Sequence, residues 1–314
     1  MPSECVPLSR PPVEPDALAH ARTRVLLPGI VAIVVARDSA TILPGCLAAL
    51  FRQGVETIVV DNASADESAA IAEEAGARVI RNALNQGYGR AMNIGMRAAR
   101  QSACLLLNPD LVLSPGSIDA LLEARERYPE AGLLAPRLVE PDGRLFFQSR
   151  SMLSLYLANE SGLACEPEGD CCAPFLSGAC VLVDRDLVLS LGGFDEEIFL
   201  FYEDDDLCRR VTETGRSLVH VHGAEAWHER GGSSVKRRGS VYKARWHGAW
   251  SAGYVAGKYG LPDPCWRIFT VNAVKLCLAT LVFRKALMER YGGSAAGAFA
   301  WLSGIRALAH EGLA

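Results

Sequence analysis

The 314-residue sequence has no run of about 20 uncharged apolar residues, the length a membrane-spanning helix needs. Its most apolar stretch, residues 266–290, is broken by Arg267, Lys275, Arg284 and Lys285, which leaves an amphipathic helix lying on a membrane or packing on the domain. The N-terminus lacks an apolar core and a small-residue cleavage site, so it does not read as a signal peptide, and the chain is expected on the cytoplasmic side. No GxGxxG turn follows the first expected strand, which counts against a dinucleotide site. The cysteines, Cys5, Cys46, Cys104, Cys165, Cys171, Cys172, Cys180, Cys208, Cys265 and Cys277, form no paired CxxC, and several sit in apolar runs where a reduced thiol packs as a small hydrophobe. Zinc and a disulfide framework are therefore not expected. Nucleic acid is not an expected partner.

Half of the residues are apolar, enough for a sizeable core. Residues 1–24, with Pro2, Pro7, Pro11, Pro12 and Pro15 and no apolar period, read as a flexible leader. Charge is divided unevenly: residues 1–230 hold 20 Lys/Arg against 33 Asp/Glu, and residues 231–314 hold 12 against 3. The basic third suits an anionic membrane surface or an anionic acceptor, or is a solvated helix face.

Short apolar runs, β-branched at 30–35, predict strands at 30–35, 57–60, from 79, and at 104–107, alternating with helices at 41–50, 64–76, 87–99 and 114–127. Ser64 and Glu67 are spaced as a capping box, and Pro115 suits a first helical turn. This alternation predicts an α/β fold with a mainly parallel central sheet and ligands beyond its carboxyl edge. Further on come a hairpin around Pro141-Asp142-Gly143, an irregular linker at 151–174, strands at 178–183 and 218–227, and helices at 204–214 and 240–259.

Three clusters carry chemistry. Asp110 follows a buried strand at Asn108-Pro109-Asp110, where a rigidly held carboxylate can ligate a hard divalent cation, though such a pair is also a common turn. Glu203, Asp204, Asp205 and Asp206 follow the aromatic run Phe199-Leu200-Phe201-Tyr202. Acids suit a helix N-terminus, and one carboxylate there can serve as a general base. His228 ends a strand before a Gly-rich basic loop with Lys236, Arg237 and Arg238, a position fit for metal or diphosphate.

In this order, the motifs resemble the family 2 glycosyltransferases of the GT-A fold, in their rhamnosyltransferase-like branch. The resemblance rests on Val59-Val60-Asp61-Asn62-Ala63-Ser64, Asn85-Gln86-Gly87-Tyr88-Gly89 with Asn93 and Gly95, and Leu107-Asn108-Pro109-Asp110. It continues in Gly178-Ala179, Gly193-Phe194-Asp195-Glu196, Glu203-Asp204 with Asp206-Leu207, and His228. It implies a Rossmann-like GT-A domain at 25–235, with a nucleotide-sugar half at 25–135 and an acceptor half at 136–235, followed by a basic helical extension at 236–314. It also implies an inverting transfer of rhamnose or another hexose from a UDP- or dTDP-sugar to a saccharide or lipid-linked saccharide in cell-envelope or exopolysaccharide synthesis.

By the same resemblance, Asp61, Asn85, Gly87, Arg90, Asn93 and Asn108 would bind the nucleotide. Asp110 and His228 would hold Mg2+ or Mn2+, Asp204 would be the catalytic base, and Glu203 and Asp206 would support it or contact the acceptor. The family commonly has Tyr-Asn after the first strand; this chain has Arg37-Asp38, which sets an added cation beside the expected base pocket. Two other readings are a sugar-nucleotide nucleotidyltransferase, disfavoured by a loop at 36–40 without glycine, and a non-catalytic carbohydrate- or membrane-binding module of the same fold.

Overall fold

A computed structural model describes residues 26–146, 153, 167–228 and 239–313. The leader, most of the 151–174 linker and the loop from Glu229 to Arg238 lie outside the described residues. The chain divides into two compact units. The first takes residues up to Asn85, Ala91–Gly193 and Cys208–Val235; the second takes Gln86–Arg90, Phe194–Leu207 and Lys236–Ala314.

The first unit is built on a single sheet. Strands β1 (Ile30–Ala36), β2 (Glu56–Asp61), β3 (Arg78–Arg81) and β4 (Ala103–Leu107) pair in parallel in the order β3-β2-β1-β4. β1 and β4 are wholly buried, as their unbroken apolar sequences require. Beyond β4 the sheet is mixed. β9 (Cys180–Asp184) runs antiparallel to β4 and to β6 (Ala131–Val139), while β10 (Ser217–His228) runs parallel to β6 and antiparallel to β5 (Leu111–Leu113). The expected parallel sheet thus holds where helices α1 (Leu43–Arg52), α2 (Ser68–Glu74) and α3 (Tyr88–Ala98) supply crossovers. The expected hairpin is present, with β7 (Leu145–Phe146) antiparallel to β6. A two-residue strand, β8 (Cys171–Cys172), pairs with β10. All described cysteines carry free thiols.

Two helix starts differ from the sequence reading. α2 begins at Ser68, because Ser64 Oγ accepts a hydrogen bond from Asp38 N, and it is Asp66 whose carboxylate accepts the Ser68 N–H. α4 (Ser117–Arg127) begins after Gly116, whose left-handed φ of 81° turns the chain, so Pro115 lies outside the helix. A short helix, α5 (Arg185–Ser190), capped by Asp184, had no clear periodicity.

The second unit contains α7 (Ser240–Lys258), α8 (Cys265–Leu281), α9 (Lys285–Leu302) and α10 (Ala307–His310). The 266–290 stretch is therefore two helices. A Cβ on Gly297 of α9 would collide with the Trp246 carbonyl of α7, so glycine is what lets these two backbones pack closely. Phe199, Trp246, Trp250, Ala300 and Leu308 form the core beneath. Among the described residues, no helix is long and apolar enough to cross a membrane. α6 (Glu203–Glu213) carries the four acids in its first turn.

Candidate active site

In the first unit, polar residues collect at the carboxyl ends of β1, β2 and β4, the edge where ligands bind in open α/β sheets. Register places Ala36 beside Asp61, so the loops after β1 and β2 start level. Asp38 ties them together: its N–H donates to Ser64 Oγ at 3.0 Å and its Oδ1 accepts from Ala65 N at 2.8 Å. Asp38 holds φ 50° and Ala63 φ 60°; an Asp tolerates the left-handed region through its short polar side chain, whereas an Ala is strained there. Asp61 is buried, with Oδ1 lacking a hydrogen-bond partner. Asn62 links this edge to the 82–85 turn, since its Nδ2 donates to Asn85 Oδ1 at 2.8 Å and its Oδ1 accepts from Asn82 Nδ2 at 3.1 Å.

Asp110 occupies the turn between β4 and β5. That turn is fixed by Asn108 N donating to Ala179 O and by the Cys46 thiol donating to Asn108 O. His228 is the last residue of β10 and lies opposite Leu111 in the β5–β10 pairing, which brings its ring to Asp110. His228 Nε2 is 3.5 Å from Asp110 Oδ1. The Asp110 side chain is 1% exposed, and neither of its oxygens has a hydrogen-bond partner; His228 Nδ1 also has none. A buried carboxylate left without partners is costly unless a cation or donor meets it, so this pair fits a divalent metal ion.

Glu225 holds β10 in place for this contact. Its Oε1 accepts from Ser114 Oγ and from Trp227 Nε1, both at 2.9 Å, and Arg137 lies 3.7 Å away. Glu225 and Trp227 share a face by strand alternation, the one signal in the sequence that could have singled out this acid.

In the second unit, the Gln86–Arg90 segment lies against the 194–203 segment. Gly87 has φ 80°, and a Cβ there would collide with the Phe199 carbonyl, whose oxygen accepts from Tyr88 N at 3.1 Å. A Cβ on Gly89 would lie 2.8 Å from Phe194 Cβ. Gly87 is thus required for close backbone approach. Arg90 faces an acid, with its Nε 3.7 Å from Glu196 Oε2.

Phe201 and Tyr202 enter α6 in consecutive left-handed conformations, φ 68° and 70°, the kind of strain that gathers at functional sites. Glu203 is buried, with Oε2 unpartnered. Burial, then the adjacent Asp204, pushes its carboxyl up to about 8. Asp204 is half-buried, with Oδ1 accepting from Asp205 N at 3.0 Å. Asp206 is 0% exposed; its Oδ1 accepts from Lys258 Nζ at 2.5 Å and Tyr259 Oη at 2.7 Å. It therefore braces the segment and offers no surface to an acceptor.

Lys258 also reaches Asp195 Oδ2 at 2.6 Å, which accepts from Tyr254 Oη at 2.9 Å. Burial opposes ionisation of Asp195, yet Lys258, the Glu197 N–H and Tyr254 together hold its carboxyl below the ordinary value. Sequence reasoning missed Lys258, Tyr254 and Tyr259, which lie in the basic C-terminal region but serve the acidic segment.

Of the expected nucleotide ligands, Asp61 and Asn85 lie at the sheet's carboxyl edge and Asn108 in the turn beside Asp110. Asn93 is wholly buried, and its amide sits where a Cβ on Gly193 would fall, so it packs against the 193 turn. His247, His310 and Glu311 form another group able to hold a cation. There Glu311 is already engaged by both histidines and Lys243, which hold its carboxyl down at about 2, the His247 hydrogen bond foremost.

The family model of glycosyl transferase family 2 matches residues 31–192. The chain is 32% identical over 214 residues to the N-acetylglucosaminyl-diphospho-decaprenol L-rhamnosyltransferase of Mycobacterium tuberculosis (strain H37Rv), covering 57% of this chain and 68% of that protein. It is 23% identical over 188 residues to the low-salt glycan biosynthesis hexosyltransferase Agl10 of Haloferax volcanii, covering 55% of this chain and 58% of that protein. In three dimensions it resembles the mannosyltransferase PcManGT from Pyrobaculum calidifontis, solved in complex with GDP-Man and Mn2+, with TM-score 0.55, 14% identity, and 90% of this chain and 88% of that one covered. It also resembles GalNAc-T7, solved with UDP, GalNAc and Mn2+, with TM-score 0.54 and 14% identity, over 93% of this chain and 59% of that one. These likenesses show a GT-A fold, and with the profile covering more than half of the sequence, the chain belongs to glycosyl transferase family 2 and its chemistry is glycosyl transfer.

Proposed function

We propose that the protein is a metal-dependent, inverting hexosyltransferase. It moves rhamnose or another hexose from a UDP- or dTDP-sugar to a hydroxyl of a lipid-linked saccharide, in cell-envelope glycan synthesis on the cytoplasmic face of the membrane. The observation that carries the metal is Asp110, buried with both oxygens unpartnered and 3.5 Å from His228 Nε2. Asp110 and His228 would hold Mg2+ or Mn2+, which would supply positive charge to offset that building on the leaving diphosphate. Asp61, with its free Oδ1, and Asn85, oriented by Asn62, bind the nucleoside.

Asp204 takes the proton of the acceptor hydroxyl, whose oxygen forms a bond to the anomeric carbon as the bond to the diphosphate oxygen breaks on the opposite face. One displacement inverts the anomeric centre. Glu203, neutral below about pH 8, keeps a second negative charge away from Asp204. The Mycobacterium tuberculosis relative, an N-acetylglucosaminyl-diphospho-decaprenol L-rhamnosyltransferase, supports rhamnose and a diphospho-polyprenol acceptor. The complexes of PcManGT with GDP-Man and Mn2+ and of GalNAc-T7 with UDP, GalNAc and Mn2+ support a nucleotide-sugar donor.

The test is transfer from dTDP-rhamnose and UDP-hexoses to an N-acetylglucosaminyl-diphospho-polyprenol, with Mn2+ or with a chelator, and the product anomer read by NMR. Chelator-sensitive transfer with inversion is expected. A retained anomer, or full activity under chelation, contradicts the reading.

A further inference from the structure

The outer face of α8 carries a continuous apolar stripe: Val271, Val274, Leu278 and Leu281 recur at helical spacing, and Val282 and Phe283 extend it into the turn before α9. All are exposed, Leu281 at 74% and Phe283 at 85%. Phe283 ends α8 at φ 52°, where Arg284 N reaches back to Ala279 O. A glycine is the usual occupant of that position, so a large apolar ring is held outward there in a conformation that disfavours a β-carbon.

Basic residues border the stripe. Arg267, Lys275, Arg284 and Lys285 are exposed, and from Pro264 to Met288 the sequence has no Asp or Glu. None of the four cations has a carboxylate partner among the described residues. At about 26 Å, α8 is shorter than a bilayer core is thick, and it carries charge along its length.

We propose that α8 and the turn at 282–284 form an interfacial anchor that lies on an anionic lipid bilayer, with the apolar stripe in the acyl boundary and the cations among the headgroups. Charge decides the occupant. Two copies packed through this stripe would bring two uncompensated basic rows together, whereas anionic headgroups neutralise them. The anchor deepens the reading of a lipid-linked acceptor and rests on it, because it holds the enzyme at the surface where such an acceptor is found.

Flotation of the full chain with phosphatidylcholine vesicles, with and without about one third phosphatidylglycerol, tests the proposal. The wild type is expected to float with the anionic vesicles at least about tenfold more strongly than with the neutral ones, and to release as salt is raised. Leu281→Ser with Phe283→Ser is expected to weaken binding about tenfold or more, and Lys275→Glu with Arg284→Glu to abolish the anionic preference. These side chains are exposed, and UDP or dTDP binding by the same variants, checked by calorimetry, is expected to match the wild type. Equal binding to both vesicle types, or undiminished flotation of the serine variant, overturns the anchor. So does a wild-type dimer in sedimentation velocity that the serine variant splits, since that assigns the stripe to a second copy. A wild type that fails to float with anionic vesicles yet binds nucleotide sinks the anchor alone; a wild type that binds neither nucleotide sinks the donor-site reading instead.

Discussion

His228 Nε2 stands 3.5 Å from Asp110 Oδ1 because β5 and β10 pair with Leu111 opposite His228. Without a cation, that carboxylate is a liability: it is buried and its oxygens have no hydrogen-bond donors. Asp110→Asn should therefore raise the stability of the metal-free protein by about 1 kcal/mol in urea unfolding while removing activity. An unchanged or lowered stability would mean that Asp110 is satisfied some other way.

Asp204→Asn is expected to cut kcat by about 1,000-fold and leave nucleotide affinity unchanged, because the base acts on the acceptor and not on the donor. Steady-state kinetics with calorimetry of UDP and dTDP separates the two effects. A loss confined to nucleotide affinity would remove Asp204 from the role of base.

Glu203 gives stability a pH dependence of known sign. Its folded value of about 8 lies above its ordinary 4.5, so the folded state binds a proton that the unfolded state releases between these values. The contribution is fully present below pH 4.5 and is lost as pH rises toward 8. Urea unfolding across this window should show Glu203→Gln gaining on the wild type as pH rises. Parallel profiles would show that Glu203 ionises normally.

Lys258→Met removes the cation that bridges Asp195 and the wholly buried Asp206. A cost of about 3 kcal/mol is expected, measured by urea unfolding, since two carboxylates lose their partner at once. A cost below about 1 kcal/mol would mean that Tyr254 and Tyr259 suffice.

Gly87→Ala should destabilise the protein by about 2 kcal/mol or more, through both its φ of 80° and the collision with the Phe199 carbonyl. A neutral result in thermal unfolding would show that the 86–90 segment yields.

The strand-end acids were legible because a carboxylate at or just past the end of a buried apolar run lies at the carboxyl edge; Asp61 ends β2 and Asp110 lies in the turn after β4. His228 was legible for the same reason, but its meeting with Asp110 was not. β5 is three residues long, and its partner strand lies more than a hundred residues away, so no local period encodes their register. The Ser64 capping box failed because a side chain that can cap a helix can equally accept a backbone N–H from a neighbouring loop, here that of Asp38. Lys258 was counted with the basic face of the C-terminal region, since a lysine that neutralises two carboxylates in space is, in sequence, one more helix cation. Gly87 and Asn93 belonged to the recognised motif, yet their contacts are with Phe199 and Gly193, which only the fold brings to them.

The central claim is tested most directly by calorimetric titration of UDP and dTDP into the wild type and Asp110→Ala, each with and without Mn2+. One nucleotide is expected to bind the wild type with Mn2+ and to bind at least about a hundredfold more weakly without it, or to Asp110→Ala under either condition. Equal affinity across all four titrations, or binding of neither nucleotide to the wild type, would contradict it.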